Sequence, residues 1–287
     1  MSAAKKGAFT QLCATEIPSE MYFLFYYFLD KLAVDLKKNL QITISPTTVR
    51  RRLKEYGLKG CIACKKPLLR ESNRIKRLQW AKEHVNWTPE QWARVLWTDE
   101  SPFVLFWKGR QTVWRRPGER YHKECLMASV KHDKKINVWG CFTIDGVGDF
   151  HKINGIMEQQ QYKQILIHHA IPSGKRLAGN GFIFQQDNDP KHTSKSVLRY
   201  LQNKTNDKTL EVLDWPSQSP DLNPIENLWR ILNDLCKARR PKNEEQLFQM
   251  LREAWFCIDR DILNTLVGSM KRRCEAVIHA NGWHTKY

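Results

Sequence analysis

The sequence predicts an α/β protein, a mixed sheet with flanking helices preceded by a small helical module. Three observations carry this. The apolar runs VLWTD (95–99) and GFIFQQD (181–187) each end in a carboxylate and read as strands buried on both faces. NVWGCFT (137–143) and VGDFHKI (147–153) flank Asp145-Gly146, a strong hairpin signal. Apolar residues at helical spacing then alternate with further short strands, as crossover helices do.

Taken in order, Leu29, Leu32, Ala33 and Leu36 mark a first helix ending near Asn39. Ser45 reads as an N-cap and Pro46 as the first helical position of a second. Val49, Leu53 and Tyr56 give that helix one apolar face, and Gly57 closes it. Two helices joined by a short polar stretch, the second rich in Arg, outline a helix-turn-helix. After the strand at 95–99 and the hairpin, Tyr162, Ile165, Leu166 and His169 mark a helix expected to end before Pro172. The strand at 181–187 follows, then a helix on Val197, Leu198 and Leu201, a strand from Leu210 to Leu213, and a helix from Asn223. Residues 243–280 predict two more amphipathic helices. Leu247, Met250, Leu251, Ala254 and Trp255 line one, and Ile262, Leu266, Val267, Met270, Cys274 and Ile278 the other.

At 287 residues the chain has room for about two domains of ~150 residues. A hydrophobic fraction of 41% with 11 Trp supplies a real core and excludes wholesale disorder. A net charge of +17 predicts polyanionic company: nucleic acid, an acidic partner or an anionic membrane. The charge is concentrated, since residues 41–94 hold 13 Lys/Arg against 4 Asp/Glu. Eight irregularly spaced Cys do not make a secreted disulfide framework. The opening MSAAKKGAFTQLC lacks the layout of a signal peptide. The longest apolar run, Met21 to Leu29, falls short of the ~20 residues a bilayer span needs. A soluble, reduced, intracellular protein with no membrane partner is expected.

Three acids stand where chemistry can use them. Asp99 and Asp187 end two strands, and Glu226 lies in the first turn of a helix. Carboxylates converging from strand ends and a neighbouring helix suit hard divalent cations. Two such ions can clamp the attacking and leaving oxygens of a phosphoryl displacement. Plainer readings stand beside this one. Asp99 and Asp187 also fit strand-ending Asx turns, and Asn223-Pro224-Ile225-Glu226 fits a capping box. Asp189, Asp214 and Asp221 are rival ligands that spacing does not exclude.

VLWTDESPF, RRPGERY, VWGCFTIDGVGDFHKINGIM, GFIFQQDNDPKHTSK and DWPSQSPDLNPIENLW together resemble the Tc/mariner superfamily of cut-and-paste DNA transposases. These blocks run in the family's order across roughly residues 42–285, and the last two are long and specific. The resemblance implies a ribonuclease-H-like catalytic domain over 94–287, with Asp99, Asp187 and Glu226 as an Asp-Asp-Glu triad holding two Mg²⁺, for which Mn²⁺ substitutes. It implies metal-dependent strand cleavage and strand transfer, with integration at TA dinucleotides in double-stranded DNA. Asp99 and Asp187 are then the shared metal bridge, and Glu226 completes one site. It also implies a clamp-loop-like insertion at about 103–130 that reaches a partner subunit, a homodimer on DNA, and action in the nucleus.

Two departures bear on this. Thirty-eight residues separate Asp187 from Glu226, more than is usual in this branch, and the excess is expected in a polar loop around Asn203 to Lys208. Family members carry two helix-turn-helix subdomains, whereas only the second is visible, over 29–70, with a basic helical linker over 71–93. Residues 1–28 match nothing in the family, so a truncated or spliced chain with weak, poorly selective binding to transposon ends is expected. A transposase-derived protein that binds DNA without cutting it is the alternative. A general ribonuclease-H-like nuclease is disfavoured by the helix-turn-helix and by SPDLNPIENLW.

ISPTTVRRRLKEYGLKG (44–60) resembles the recognition helix of the second subdomain. Thr47, Thr48, Arg50, Arg51, Arg52 and Lys54 form its polar face and are the expected DNA contacts, a solvated basic face being the plain alternative. Arg70, Arg74, Lys76 and Arg77 are expected to track phosphates. KARRPK (237–242) reads equally as an import signal or as solvated helix-end charge. Cys61 and Cys64 make one CxxC, without the second pair a structural zinc requires, and ordinary packing is the better reading. His192 lies five residues past Asp187, and three roles stay open: DNA contact, support of Asp187, or a helix cap. Trp215 and Trp229 are expected to anchor the core around the Glu226 segment.

Overall fold

The computed structural model describes residues 38, 45–55, 59, 66–105, 116–118, 121, 122, 126, 134–239 and 241–287, and the chain divides into two units, Met1–Lys65 and Lys66–Tyr287. In the first unit the described element is helix α1 (Pro46–Glu55). Its cap is the expected one: the Thr48 amide donates to Ser45 Oγ at 3.2 Å, which satisfies one of the free N–H groups of the first turn. Val49 is buried. The companion helix expected at 29–39, the closing Gly57 and the Cys61/Cys64 pair lie outside the described residues, save the single helical residue Lys38.

The second unit begins with helices α2 (Glu71–His84) and α3 (Pro89–Ala93). A five-stranded sheet follows: β1 (Val95–Val104), β2 (Lys135–Thr143), β3 (Gly146–Ile153), β4 (Phe182–Phe184) and β5 (Leu210–Val212), in the order β3-β2-β1-β4-β5. The first three are antiparallel, while β4 and β5 run parallel to β1. Helices α4 (Gln159–Ile165), α5 (Ile171–Ala178) and α6 (Lys195–Asn206) make the crossovers. Helices α7 (Ile225–Arg239), α8 (Glu244–Phe256), α9 (Arg260–Val267) and α10 (Met270–His279) end the chain.

Strand alternation divides the core into two layers. Val95, Trp97, Val138, Phe142 and Ile183 face a cluster built with α2, α3 and α7–α10. Leu96, Trp139, Cys141, Phe182 and Phe184 face a second cluster built with α4–α6. The next residues along β1 inherit this alternation, so Asp99 lies on the α7 face and Glu100 on the α4 face.

Several elements differ from the sequence reading for identifiable reasons. β1 does not stop at Asp99; pairing with β2 carries it to Val104, and Phe103 sits opposite Ile136 as a buried strand residue. Pro102 is tolerated because β4 borders β1 only as far as Leu96. The expected insertion therefore leaves the sheet after Leu105, whose N–H still donates to Lys134 O at 2.9 Å. Most of it lies outside the described residues. The hairpin turn is Ile144-Asp145, with Thr143 paired to Gly146. The helix before Pro172 does not end. A π-helical turn, Leu166–Ala170, routes the Ile171 amide to Leu166 O, five residues back, and Pro172 becomes an early residue of α5, where its missing N–H costs nothing. Asn203 to Asn206 are the last turn of α6 rather than a loop. The last predicted helix is two, broken at Gly268-Ser269.

Residues 71–93 are largely helical, as expected, and α2 and α3 pack into the core. Trp80 and Trp92 are buried in the core, where they join Trp87, Trp97, Trp215 and His84 in a run of ring contacts with centroids 4.0–6.2 Å apart. Arg77 is fully buried, so it cannot track phosphates. Its guanidinium grips Asp221 with bonds of 2.7 and 2.8 Å and also donates to the carbonyls of Gly282, Gln218 and Trp283. Arg74 is committed to Glu71 and to the Asn281 carbonyl. No helix among the described residues is long and apolar enough to cross a membrane.

Candidate active site

Three short segments meet beyond the parallel edge of β1, and Thr98 joins two of them directly. Its hydroxyl donates to Gln185 O at 2.7 Å and its amide to Gln185 Oε1 at 3.0 Å, which ties the middle of β1 to the chain leaving β4. Its carbonyl accepts from Asn223 Nδ2 at 3.2 Å, which ties β1 to the start of α7. Asp99, Asp187 and Glu226 each follow one of these anchors by one to three residues. They line a single pocket of roughly 330 Å³ together with Asn188, Asp189, Trp215 and the turn at 217–220.

The capping-box reading of Glu226 fails. The Asn223 amide, which such a box would bond to the Glu226 side chain, donates instead to Pro220 O at 3.0 Å. Asn223 Oδ1 accepts from Ile225 N at 3.3 Å. The cap is thus closed without Glu226, whose side chain is exposed over the pocket.

Asp99 is partly buried and accepts from the Trp229 indole at 3.3 Å. Burial, with Glu226 and then Glu100 nearby, holds its carboxyl well above the usual range. Surrounding protein that displaces water from one side raises Glu226 too, partly offset by a hydrogen bond with Asp99. Asp187 behaves oppositely. Burial pushes it up, but His192 outweighs that and its carboxyl lies below the usual range. His192 Nδ1 donates to Asp187 Oδ1 at 2.5 Å. Burial alone would lower the imidazole, yet Asp187 and Glu100 raise it to about 9.

Of the rival ligands, Asp221 is consumed by Arg77. Asp214 lines a neighbouring pocket. Asp189 lines this one but is paired to Lys191 at 2.6 Å. Among the described residues no three acidic, His or Cys groups are drawn into a finished ligand cage; the carboxylates stand around a shared opening instead. An all-oxygen donor set with mutually repelling carboxylates nonetheless fits a hard divalent cation.

Residues that sequence reasoning passed over hold this arrangement. Thr98, Gln185 and Asn223 are the ties. Gly140 sits opposite Asp99, and a Cβ there would come within 2.8 Å of the Trp229 ring. A lone glycine inside a predicted strand was the available signal of such a close approach. Trp229 is a core anchor, as expected, and also an Asp99 partner. Trp215 is buried, and its carbonyl accepts from Asn188 Nδ2 at 2.6 Å. On α1, Thr47, Arg50, Arg51 and Lys54 are exposed, while Thr48 is half-buried with its hydroxyl 3.0 Å from Ser45 Oγ. Arg52 lies on the same helix, its side chain outside the described set. Of residues 237–242, the first three are the last of α7.

Similarity to known proteins follows the same division. A helix-turn-helix family model described as "Transposase" matches residues 28–86, and one described as "DDE superfamily endonuclease" matches 94–248. The Tc1 transposase of Caenorhabditis elegans is 44% identical over 245 residues, 85% of this chain and 88% of the relative. The Tcb2 transposase of Caenorhabditis briggsae is 41% identical over 249 residues, 86% of this chain and 90% of the relative. The fold resembles that of the Mos1 mariner paired end complex with Mn, with a TM-score of 0.73 at 20% identity over 91% of this chain and 76% of the other. The Mos1 catalytic domain alone gives a TM-score of 0.58 at 17% identity, over 78% of this chain and all of the other. The sheet and its helices are thus of the ribonuclease-H-like kind, and the chain belongs to the Tc1/mariner family of DNA transposases, with a DDE-type endonuclease domain.

Proposed function

We propose that Asp99, Asp187 and Glu226 are the metal-binding acids of a cut-and-paste transposase that cleaves DNA strands at transposon ends and joins the freed end to a TA target. The observation that carries this is geometric: acids from three separate elements line one pocket and hydrogen-bond ties fix their backbones together. Asp99 and Asp187 would hold one divalent ion between them, and Glu226 would complete the site of a second. Mg²⁺ is the expected ion, with Mn²⁺ able to replace it. Bound ions supply the activated nucleophile and neutralise charge on the scissile phosphate. The chain's own work is positioning: Trp229 orients Asp99, Asn223 sets the start of α7 under Glu226, and Asn188 holds the 215–217 turn beside the opening.

Thr47, Thr48, Arg50, Arg51, Arg52 and Lys54 on α1 are the proposed DNA contacts, a reading supported by the exposed cations of that helix. A substrate of chromosomal DNA places the protein in the nucleus, and two transposon ends call for a homodimer on DNA. Incubation of the protein with DNA carrying candidate transposon ends, in Mg²⁺ or Mn²⁺, tests the reading. Metal-dependent nicking that Asp187→Asn reduces by a thousandfold or so, about 4 kcal/mol of barrier, is expected. Equal nicking by the variant would refute the assignment, and DNA binding without cleavage in either metal would favour the non-catalytic alternative.

A further inference from the structure

β1 serves the site from both of its faces. Asp99 reaches the pocket directly, whereas Glu100 points to the opposite layer and meets His192, whose Nε2 lies 3.3 Å from Glu100 Oε1. Both atoms are buried and neither has a hydrogen-bond partner, so this ion-pair approach is the contact each makes. The imidazole lies on the ring of Tyr162, centroids 3.8 Å apart and 28° from parallel. The Tyr162 hydroxyl donates to Gln186 Oε1 at 2.7 Å, so the platform is itself tied to the residue preceding Asp187. The His192 backbone is fixed as well, its amide donating to Asp189 O at 2.9 Å. With 3% of its surface exposed, His192 is no DNA contact, and the N-cap of α6 is Ser194, not His192.

What this frame holds is one oxygen of one carboxylate. Asp187 Oδ1 accepts from His192 Nδ1 at 2.5 Å and from the Asp189 amide at 3.0 Å. Among the described residues no hydrogen bond reaches Oδ2. The side chain is half exposed on the pocket side, yet one of its two oxygens is committed to the protein. A carboxylate so pinned keeps a fixed plane and presents the other oxygen outward, the arrangement that outer partners give to metal-ligating carboxylates.

We infer that His192 is the positioning residue for Asp187, pinning Oδ1 so that Oδ2 alone is presented to a divalent cation. This rests on the reading of Asp187 as a metal ligand. Glu100 and Tyr162 hold the ring by its far nitrogen and its face, and neither touches the pocket.

Mn²⁺ binding to the full-length protein, followed by the electron paramagnetic resonance of free Mn²⁺, tests this without recourse to cleavage. Two amide substitutions separate positioning from packing. In His192→Asn the side-chain nitrogen falls near the place of Nδ1 and keeps the bond to Asp187; in His192→Gln it falls near the place of Nε2 and keeps only the approach to Glu100. Binding near the wild-type level in His192→Asn with a tenfold or greater loss in His192→Gln is expected. Equal binding by the two variants, whether both tight or both weak, would overturn the proposal, since a merely structural role treats the two amides alike. Asp187→Asn is the control. If it binds Mn²⁺ as tightly as the wild type, the metal-ligand reading falls and the positioning role with it. If it weakens binding while the two His192 variants match each other, the positioning role alone is lost.

Discussion

Thr98, next to Asp99, bonds through its hydroxyl and its amide to the segment of Asp187 and through its carbonyl to the segment of Glu226. It shows why TDES, QQD and NPIE are written as they are: the acids are the visible letters, and the Thr, Gln and Asn beside them fix the distances. The acids were legible in the sequence because a carboxylate at the end of an apolar run is conspicuous. The ties were not, because a Thr in a strand or a Gln after one has many ordinary uses and its partner is far away in the chain. Asp99 also shows what the arrangement costs. Its carboxyl is held above the usual range by burial and by Glu226, so the metal-free fold loses stability as pH rises from the ordinary carboxylate value near ~4 through the raised one. Replacing it by Asn removes the charge and keeps an oxygen for Trp229. In thermal melts with a chelator near neutral pH, Asp99→Asn should therefore melt a few degrees above the wild type, ~2–4 °C for about 1 kcal/mol in a chain of this size. A lower melting point at pH 7 would show that the carboxylate is not strained.

At the scale of elements, the start of α7 is held from behind. Arg77 on α2 grips Asp221, and Arg273 on α10 donates to the Asp221 carbonyl at 2.8 Å and to Asn227 Oδ1 at 2.6 Å. These clamps sit just before and just after Glu226, so α2 and α10 set the height of its carboxylate above Asp99. Reading Arg77 as a phosphate contact was wrong because charge density alone does not distinguish a solvated cation from one that folding has paired. The Asp221 carboxyl is pushed up by burial but pulled further down by Arg77 and by Thr285. Its contribution to stability is complete above the unfolded value near ~4 and fades as pH falls through the lower folded value. Asp221→Asn leaves a buried guanidinium without its counter-charge and should cost about 3–5 kcal/mol in denaturant unfolding at neutral pH. The gap to the wild type should hold down to pH ~5 and narrow below ~4, as the wild type takes up the same proton. A gap independent of pH across that span would mean that packing, not the ion pair, holds this corner. The π-helical turn before Pro172 and the break at Gly268-Ser269 belong to this scale too. Both lie within runs whose apolar spacing stays helical, so periodicity alone could not find them.

For the whole molecule, the strand order places β1 beside β4, and there the middle of β1, the chain leaving β4 and the first turn of α7 line one pocket. Sequence pattern predicted the sheet and its helices well because each strand is a contiguous run and the hairpin is local. Pairing of β1 with β4 joins residues 88 apart in sequence, and no local pattern encodes it. The net charge of +17 belongs to this scale as well, as the attraction that brings a polyanion to acids that would otherwise repel it. The claim on which the chemistry depends is that Asp99, Asp187 and Glu226 share divalent ions. Anomalous diffraction from crystals of the protein soaked in Mn²⁺ tests it most directly. Two peaks about 4 Å apart, one touching both Asp99 and Asp187 and the other touching Glu226 as well as one of them, are expected. Peaks confined to other carboxylates, or none between these three at saturating Mn²⁺, would contradict it.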